Sequence, residues 1–372
     1  MTTVTPTSSD SEPWPAVNGI PRPPRALHGL RALRLSLADW QGLVSSKPAS
    51  SRPTLGGMAW GGPGAGVTTP ADLTGLRGLA PLASPLLGAT TPWVDVWSGE
   101  GEGVRRGHRG AASWQTDGDW AFGRLHLAAP ADAVEATAYR AYRDLFAALQ
   151  DCGCPQLLRL WNYLPQINAD GGGLERYRQF NIGRQRAFVD AGRDAHEGAP
   201  AACALGTGGD TGGGLTICFL AGRVAPRPVD NPRQVPAYRY SSLYGPRTPT
   251  FSRAALADAG DGRIALLVSG TASIVGEHTV HAGDVVAQTR ETLRNLQAVI
   301  DSAHRACSAR FTLADLQPTV YVRHAADHAK VLNVLAREVP AWRRAPCVQA
   351  DICRADLLVE IEAHALAPGV LA

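Results

Sequence analysis

Two segments about 150 residues apart carry the same pattern, and that repetition constrains the fold more than any other feature of the chain. In the first, Val134, Ala138, Tyr142, Leu145 and Leu149 recur at helical spacing. Strand-like DWAFGRLHL (119–127) precedes them and QLLRLWNYL (156–164) follows. In the second, Thr289, Leu293, Leu296 and Ile300 form the same kind of stripe, between RIALLVSGTASIV (263–275) and PTVYVRH (318–324). Strand, helix, strand, used twice, predicts an α+β protein of two lobes, each a mixed sheet with helices packed on one face. The polar stretch DAGRDAHEGAP (190–200) is where the lobes are expected to join, which gives lobes of 26–195 and 196–372.

The flanks of this pattern are simpler. Residues 1–25 are rich in Pro, Ser and Thr and are expected to be disordered. They lack the apolar run of a signal peptide, and no stretch of ~18 apolar residues occurs in the chain, so neither export nor a membrane span is expected. Three glycine-rich stretches, at 56–66, 171–173 and 206–214, carry no Lys-Ser/Thr of a phosphate loop and read as turns. The seven cysteines show no C-x-x-C pair, which fits a reduced, cytoplasmic protein. A net charge of +3 gives no broad basic footprint for nucleic acid, but leaves a small anionic ligand open.

Chemistry concentrates in three stretches. CVQADICRADLLVEIEAHAL (347–366) reads as a β-hairpin turning at RADL. With Cys353 opposite Glu360, Val348, Ala350 and Ile352 face Ala365, Ala363 and Ile361, and Asp351, Cys353, Glu360 and Glu362 share the other surface. Such a surface is either wet or holds a working acid, because crowded carboxyls beside apolar neighbours shift upward in pKa. Glu360 is the candidate acid, and Cys353 is either a small packed residue or part of the chemistry. In GLERYRQFNIGRQRAF (173–188), Tyr177 and Arg184 lie two helical turns apart on one face with Phe180 and Phe188, suited to holding a carboxylate or to plain packing. NPRQVPAYRYSSLYGPRTPTFSR (231–253) brings Tyr238, Tyr240, Tyr244 and four arginines onto a path fixed by proline. Arg323, at a strand end, suits a ligand or a salt bridge equally. His324 with His328 and His278 with His281 have no third ligand nearby, and no G-x-S-x-G elbow occurs, so metal and serine chemistry are not expected.

Together with RLWNYLPQIN (159–168) and LLVSGTASIVGEHTVHAGDVVAQTRETLRNL (266–296), these stretches resemble the chorismatase family, from about residue 90 to the C-terminus. The resemblance implies two YjgF-like lobes and cofactor-free cleavage of chorismate to pyruvate plus 3-hydroxybenzoate, with 4-hydroxybenzoate as a possible companion. Chorismate hydrolysis to a dihydroxycyclohexadiene carboxylate, and non-catalytic binding of an aromatic or keto acid, are the alternatives. It places the catalytic acid on Glu360 and substrate contacts on Tyr177, Arg184, Tyr238 and Arg323, with Tyr240 and Tyr244 as alternatives to Tyr238. It also links Cys353 to aromatisation of the product. Whether the chain is a monomer or a trimer is left open.

Overall fold

Each apolar stripe in the sequence becomes a helix with its stripe buried, and each helix sits between two strands that do not pair with one another. The computed structural model describes residues 26–46, 54–61, 78–82, 84–88, 92–101, 103–130, 132–207 and 214–372. The expected disordered tail, 1–25, lies outside the described residues, as do parts of two glycine-rich stretches, 62–66 and 208–213.

The N-terminal part comprises β1 (Arg31–Ser36), α1 (Leu37–Ser46), β2 (Thr54–Trp60), β3 (Leu79–Leu82), β4 (Leu86–Leu87) and β5 (Trp93–Ser98). The first repeat comprises β6 (Arg105–Arg109), β7 (Ala112–Thr116), β8 (Trp120–Ala128), α2 (Val134–Cys152), β9 (Gln156–Tyr163), α3 (Arg176–Asp190), β10 (Ala201–Thr207) and β11 (Gly214–Gly222). The second comprises β12 (Arg227–Val229), β13 (Ala254–Asp258), β14 (Arg263–Ala272), the short pair β15 (Ile274–Val275) and β16 (His278–Thr279), α4 (Val285–Ala303), β17 (Gln317–Val322), α5 (His328–Glu338), β18 (Cys347–Ile352) and β19 (Val359–Pro368).

The repeats have one strand order. The first runs β7-β8-β11-β9-β10 and the second β13-β14-β19-β17-β18, and β10 and β18 join them antiparallel into a 13-stranded sheet. In each, the strands flanking the second helix are parallel, β9 with β10 and β17 with β18, as a helical crossover requires. By strand pairing the first repeat extends to Gly222, because β10 and β11 complete its sheet, later than the 195/196 division expected. Helices α2 and α3 cover one face of the first repeat with Tyr142, Leu145, Leu149 and Phe188 buried, and α4 and α5 cover the second with Leu293, Leu296, Ile300 and Leu335.

A separate four-stranded sheet, β1-β5-β2-β3, was not foreseen. It packs Trp60 and Trp97 against the faces turned away from the helices: Trp60 lies 5.9 Å from Tyr163 and 6.0 Å from Tyr321, and Trp97 lies 6.4 Å from Trp161. Gly56 and Gly57, expected in a turn, are strand residues of β2, and a Cβ on Gly57 would meet the Asp95 carbonyl at 2.0 Å. Glycine is needed there for the close approach of β5.

The C-terminal hairpin is corrected by this topology. β18 and β19 do not pair, because β17 lies between them: Tyr321 is opposite Val348 on one side and Glu360 on the other. The parallel crossover through α5 puts β18 outside β17, and the last strand fills the remaining slot between β14 and β17. Val348, Ala350 and Ile352 therefore pack in the inner core with Tyr321, while Ile361, Ala363 and Ala365 pack against the helices.

Arg34 fastens the N-terminal sheet to the second repeat. It forms a two-pronged pair with Asp95, at 2.6 and 2.8 Å, and donates to the Pro318 carbonyl at 2.6 Å and to Thr319 at 2.9 Å. Arg34→Met leaves Asp95 buried without its partner and is expected to cost about 3 kcal/mol, read as a lowered urea midpoint.

Candidate active site

β19 alternates between two environments because successive strand residues face opposite ways. Ile361 and Ala363 go to the helices, so Glu360 and Glu362 go to the inner face, where both are buried, at 3% and 4% exposure. Glu360 lies opposite Ala272 of β14 and Tyr321 of β17. The β14–β19 register slips between Val268 and Thr271, and Gly270 sits in that irregularity. A Cβ on Gly270 would lie 1.9 Å from Glu360 Oε1, so the missing side chain is what admits the carboxyl. Burial, and then the charge of Glu362, push Glu360 up to about 8. It is a carboxylic acid, able to donate a proton, at neutral pH.

Glu362 has a different fate. It is paired with buried Arg159 and accepts a hydrogen bond from the Tyr321 hydroxyl at 2.5 Å. The Tyr321 and Tyr163 hydroxyls are 3.3 Å apart, and Arg159 stacks 5.3 Å from Trp161.

In front of Glu360 opens a cavity of about 320 Å³. Its walls come from separate elements: Tyr177 from α3, Tyr240, Tyr244 and Arg253 from the irregular path before β13, and Cys353 and Arg354 from the loop after β18. Arg354 lies 3.8 Å from the Tyr244 ring and 5.1 Å from that of Tyr240, and donates to the Glu277 carbonyl at 2.8 Å. Its Nη2 is buried and has no hydrogen-bond partner among the described residues. Arg253 donates to the Val235 carbonyl at 2.9 Å and to Tyr240 at 2.7 Å, while its Nε is likewise unpartnered. Buried guanidinium N–H groups left unpaired are costly, and both arginines line the cavity. Burial, and then the neighbouring Glu360, push the Cys353 thiol up to about 12, so the sulfur keeps its proton. Tyr177 is held well above the usual phenol range by removal of its hydroxyl from water and by Cys353 beside it.

The structure thus brings Glu360, Cys353 and Tyr177 together around one cavity. It places three other expected residues elsewhere. Arg184 does not line the cavity: it is 2% exposed behind Tyr177, with ring centroids of Tyr142, Phe188 and Phe180 at 5.4, 5.7 and 5.9 Å, and its Nε and Nη2 have no partner. Tyr238 is off the cavity beside Arg239, 5.7 Å from its guanidinium, and its two alternatives, Tyr240 and Tyr244, line the wall instead. The proline-fixed path turns as two short 3-10 segments, Ala237–Arg239 and Ser242–Tyr244, and Tyr238 is half-buried within the first.

Arg323 is absorbed by the fold. Its guanidinium donates to the carbonyls of Leu357, Ile352 and Arg354 at 2.8, 2.9 and 2.8 Å, to Asp351 at 2.7 Å and to Asn168 at 3.2 Å. It fastens the loop that carries Cys353 and Arg354. Asp351 faces Arg323 and does not join the two glutamates, as the change of strand neighbours requires. Sequence reasoning missed Arg253, Arg354 and Gly270. Arg354 directly follows Cys353 and Arg253 ends the Tyr/Arg stretch, so adjacency to those residues was the available signal.

Comparison with known proteins finds relatives for both repeats. The family described as "Chorismatase FkbO/Hyg5-like, N-terminal" matches residues 95–221, and "Endoribonuclease L-PSP" matches residues 252–367, one on each repeat. A chorismatase from Streptomyces rapamycinicus is 38% identical over 280 residues, covering 73% of this chain and 81% of its own. A 3-hydroxybenzoate synthase from Streptomyces hygroscopicus is 36% identical over 282 residues, covering 73% and 81%. A crystal structure of a chorismatase superposes with a TM-score of 0.77 at 29% identity, covering 92% of this chain and 100% of that one. On this likeness in sequence and in three dimensions, the chain belongs to the chorismatase family.

Proposed function

We propose that the protein converts chorismate into pyruvate and 3-hydroxybenzoate, with Glu360 as the general acid. The observation that carries this reading is a buried carboxyl, pushed up to about 8, on a cavity that Arg253 and Arg354 also line. The name of the 3-hydroxybenzoate synthase relative supports the choice of product. Chorismate is a dianion, and its enolpyruvyl group is a vinyl ether. Proton transfer from Glu360 to the terminal methylene gives an oxocarbenium ion, whose breakdown releases pyruvate. Arg253 and Arg354 take the substrate's carboxylates, with the phenols of Tyr177, Tyr240 and Tyr244 as neutral partners. Arg184, with two unpaired N–H groups behind Tyr177, supports the positive field of the site.

Pyruvate and 3-hydroxybenzoate together contain the atoms of chorismate, so this outcome consumes no water. The bond between the ring and the ether oxygen breaks and that oxygen leaves as the ketone of pyruvate; the ring 4-hydroxyl oxygen, in place of water, bonds to the vacated ring carbon, and the Glu360 carboxylate, having given up its proton, takes the hydroxyl's proton. Cys353, beside Glu360 with its sulfur protonated, assists the rearrangement to the phenol. Hydrolysis to the diene diol is the second reading, and chromatography of the product separates the two. All seven cysteines are free, which supports a reducing compartment such as the cytoplasm.

Glu360→Gln is expected to lower pyruvate release from chorismate by about 10²–10⁴-fold, the usual weight of a general acid, in a lactate-dehydrogenase-coupled assay. Release at the native rate would overturn the assignment. Activity needs the protonated form of Glu360, so kcat/KM should hold below about pH 8 and fall as pH rises through that value. Arg354→Gln removes a charged donor and should raise KM roughly 10- to 100-fold, with a smaller change in kcat.

A further inference from the structure

The proposed mechanism leaves the buried carboxyl of Glu362 without a task. Glu362 lies two residues from Glu360 on the same inner face of β19, about 6.6 Å along the strand by ordinary strand geometry. Its carboxyl is bound by Arg159 from β9 and by the Tyr321 hydroxyl from β17, and all three residues are buried. Arg159 joins the first repeat to the second at this point, and its Nη1 has no partner among the described residues.

The geometry poses an electrostatic problem for an acid that must keep its proton. Arg159 is a fixed cation near Glu360, and a cation at such range favours the ionised carboxylate. Arg253 and Arg323 act in the same direction from other sides. The thiols of Cys203 on β10 and Cys353 after β18 and the Tyr321 phenol, all pushed upward by burial, also lie around Glu360, and its cavity is shared with Tyr177, Tyr240, Tyr244, Arg178 and Arg354 and with the carboxyls of Glu175 and Asp356. Glu362 is the carboxylate that shares the inner face of β19 with Glu360 and is paired with Arg159.

Resting on the reading of Glu360 as the acid, we propose that Glu362 is a positioning residue for catalysis: by engaging Arg159 and Tyr321 it cancels the cation behind Glu360 and keeps the proton on the acid across the working pH range. The strand therefore carries two acids with divided roles. Glu362 holds negative charge against Arg159, and Glu360 faces the cavity.

The test uses the full-length protein and two readouts. The first is the pH dependence of pyruvate release. The second is an infrared titration of the carboxylic C=O band in resting enzyme, with Glu360→Gln subtracted to isolate residue 360. Glu362→Gln should move the ionisation of Glu360, and with it the alkaline limb of kcat/KM, toward acid by at least about one pH unit. Arg159→Gln combined with Glu362→Gln removes both charges and should bring the limb back toward its native position. If Glu362→Gln does not fold, Glu362→Asp keeps the charge; it should retain the native limb, and a limb displaced by a unit or more in that variant would overturn the proposal. Activity lost equally at every pH, with an unmoved infrared titration, would also overturn it and leave Glu362 a purely structural residue. Failure of the underlying reading looks different: Glu360→Gln itself would then release pyruvate at the native rate.

Discussion

A carboxyl that must stay protonated at neutral pH has to be kept from water and from uncompensated cations at once, and the inner face of β19 meets both demands. Desolvation makes the larger contribution to holding Glu360 up to about 8, and the charge of Glu362 comes next. The burial is produced by topology. Only because β19 is laid between β14 and β17, with the N-terminal sheet behind them, do residues at alternate positions of a C-terminal strand become interior. Gly270 completes the arrangement by giving the carboxyl room where any side chain would collide with it.

The cavity in front of that acid is assembled from pieces far apart in the chain. Tyr177 comes from the first repeat, and Arg253, Cys353 and Arg354 come from the second. The loop bearing Cys353 and Arg354 is held by Arg323, which spends its whole guanidinium on carbonyls and on Asp351 and Asn168. An arginine that the sequence offers as a ligand contact thus serves as a fastener, while a less conspicuous one, stacked on two tyrosines, keeps an N–H without a partner among the described residues. Satisfied donors build the wall, and in the proposed function the unsatisfied ones meet the substrate.

The N-terminal sheet also acquires a role. Its tryptophans cover Tyr163, Tyr321 and Trp161, the same groups that surround the Arg159–Glu362 pair. Arg34 then ties that sheet to Pro318 and Thr319 of β17. The sheet thereby excludes water from the back of the acid, which is where the low dielectric that raises Glu360 originates.

The sequence by itself determined the local elements: the helices at 134–152 and 285–303 and their flanking strands follow from apolar periodicity, which depends only on neighbours along the chain. It also singled out Glu360, Cys353 and Tyr177, because unusual residues in apolar surroundings are visible without coordinates. Tertiary structure decided the rest. The pairing partners of β18 and β19 depend on β17, a strand some 25 residues upstream of β18 that a hairpin reading of adjacent strands does not consider. The choice among Tyr238, Tyr240 and Tyr244 turned on the path of an irregular segment, and the separation of Arg323 from Arg253 and Arg354 turned on which donors the fold itself consumes. Periodicity carries no information about such long-range partners, so only the folded arrangement assigns them.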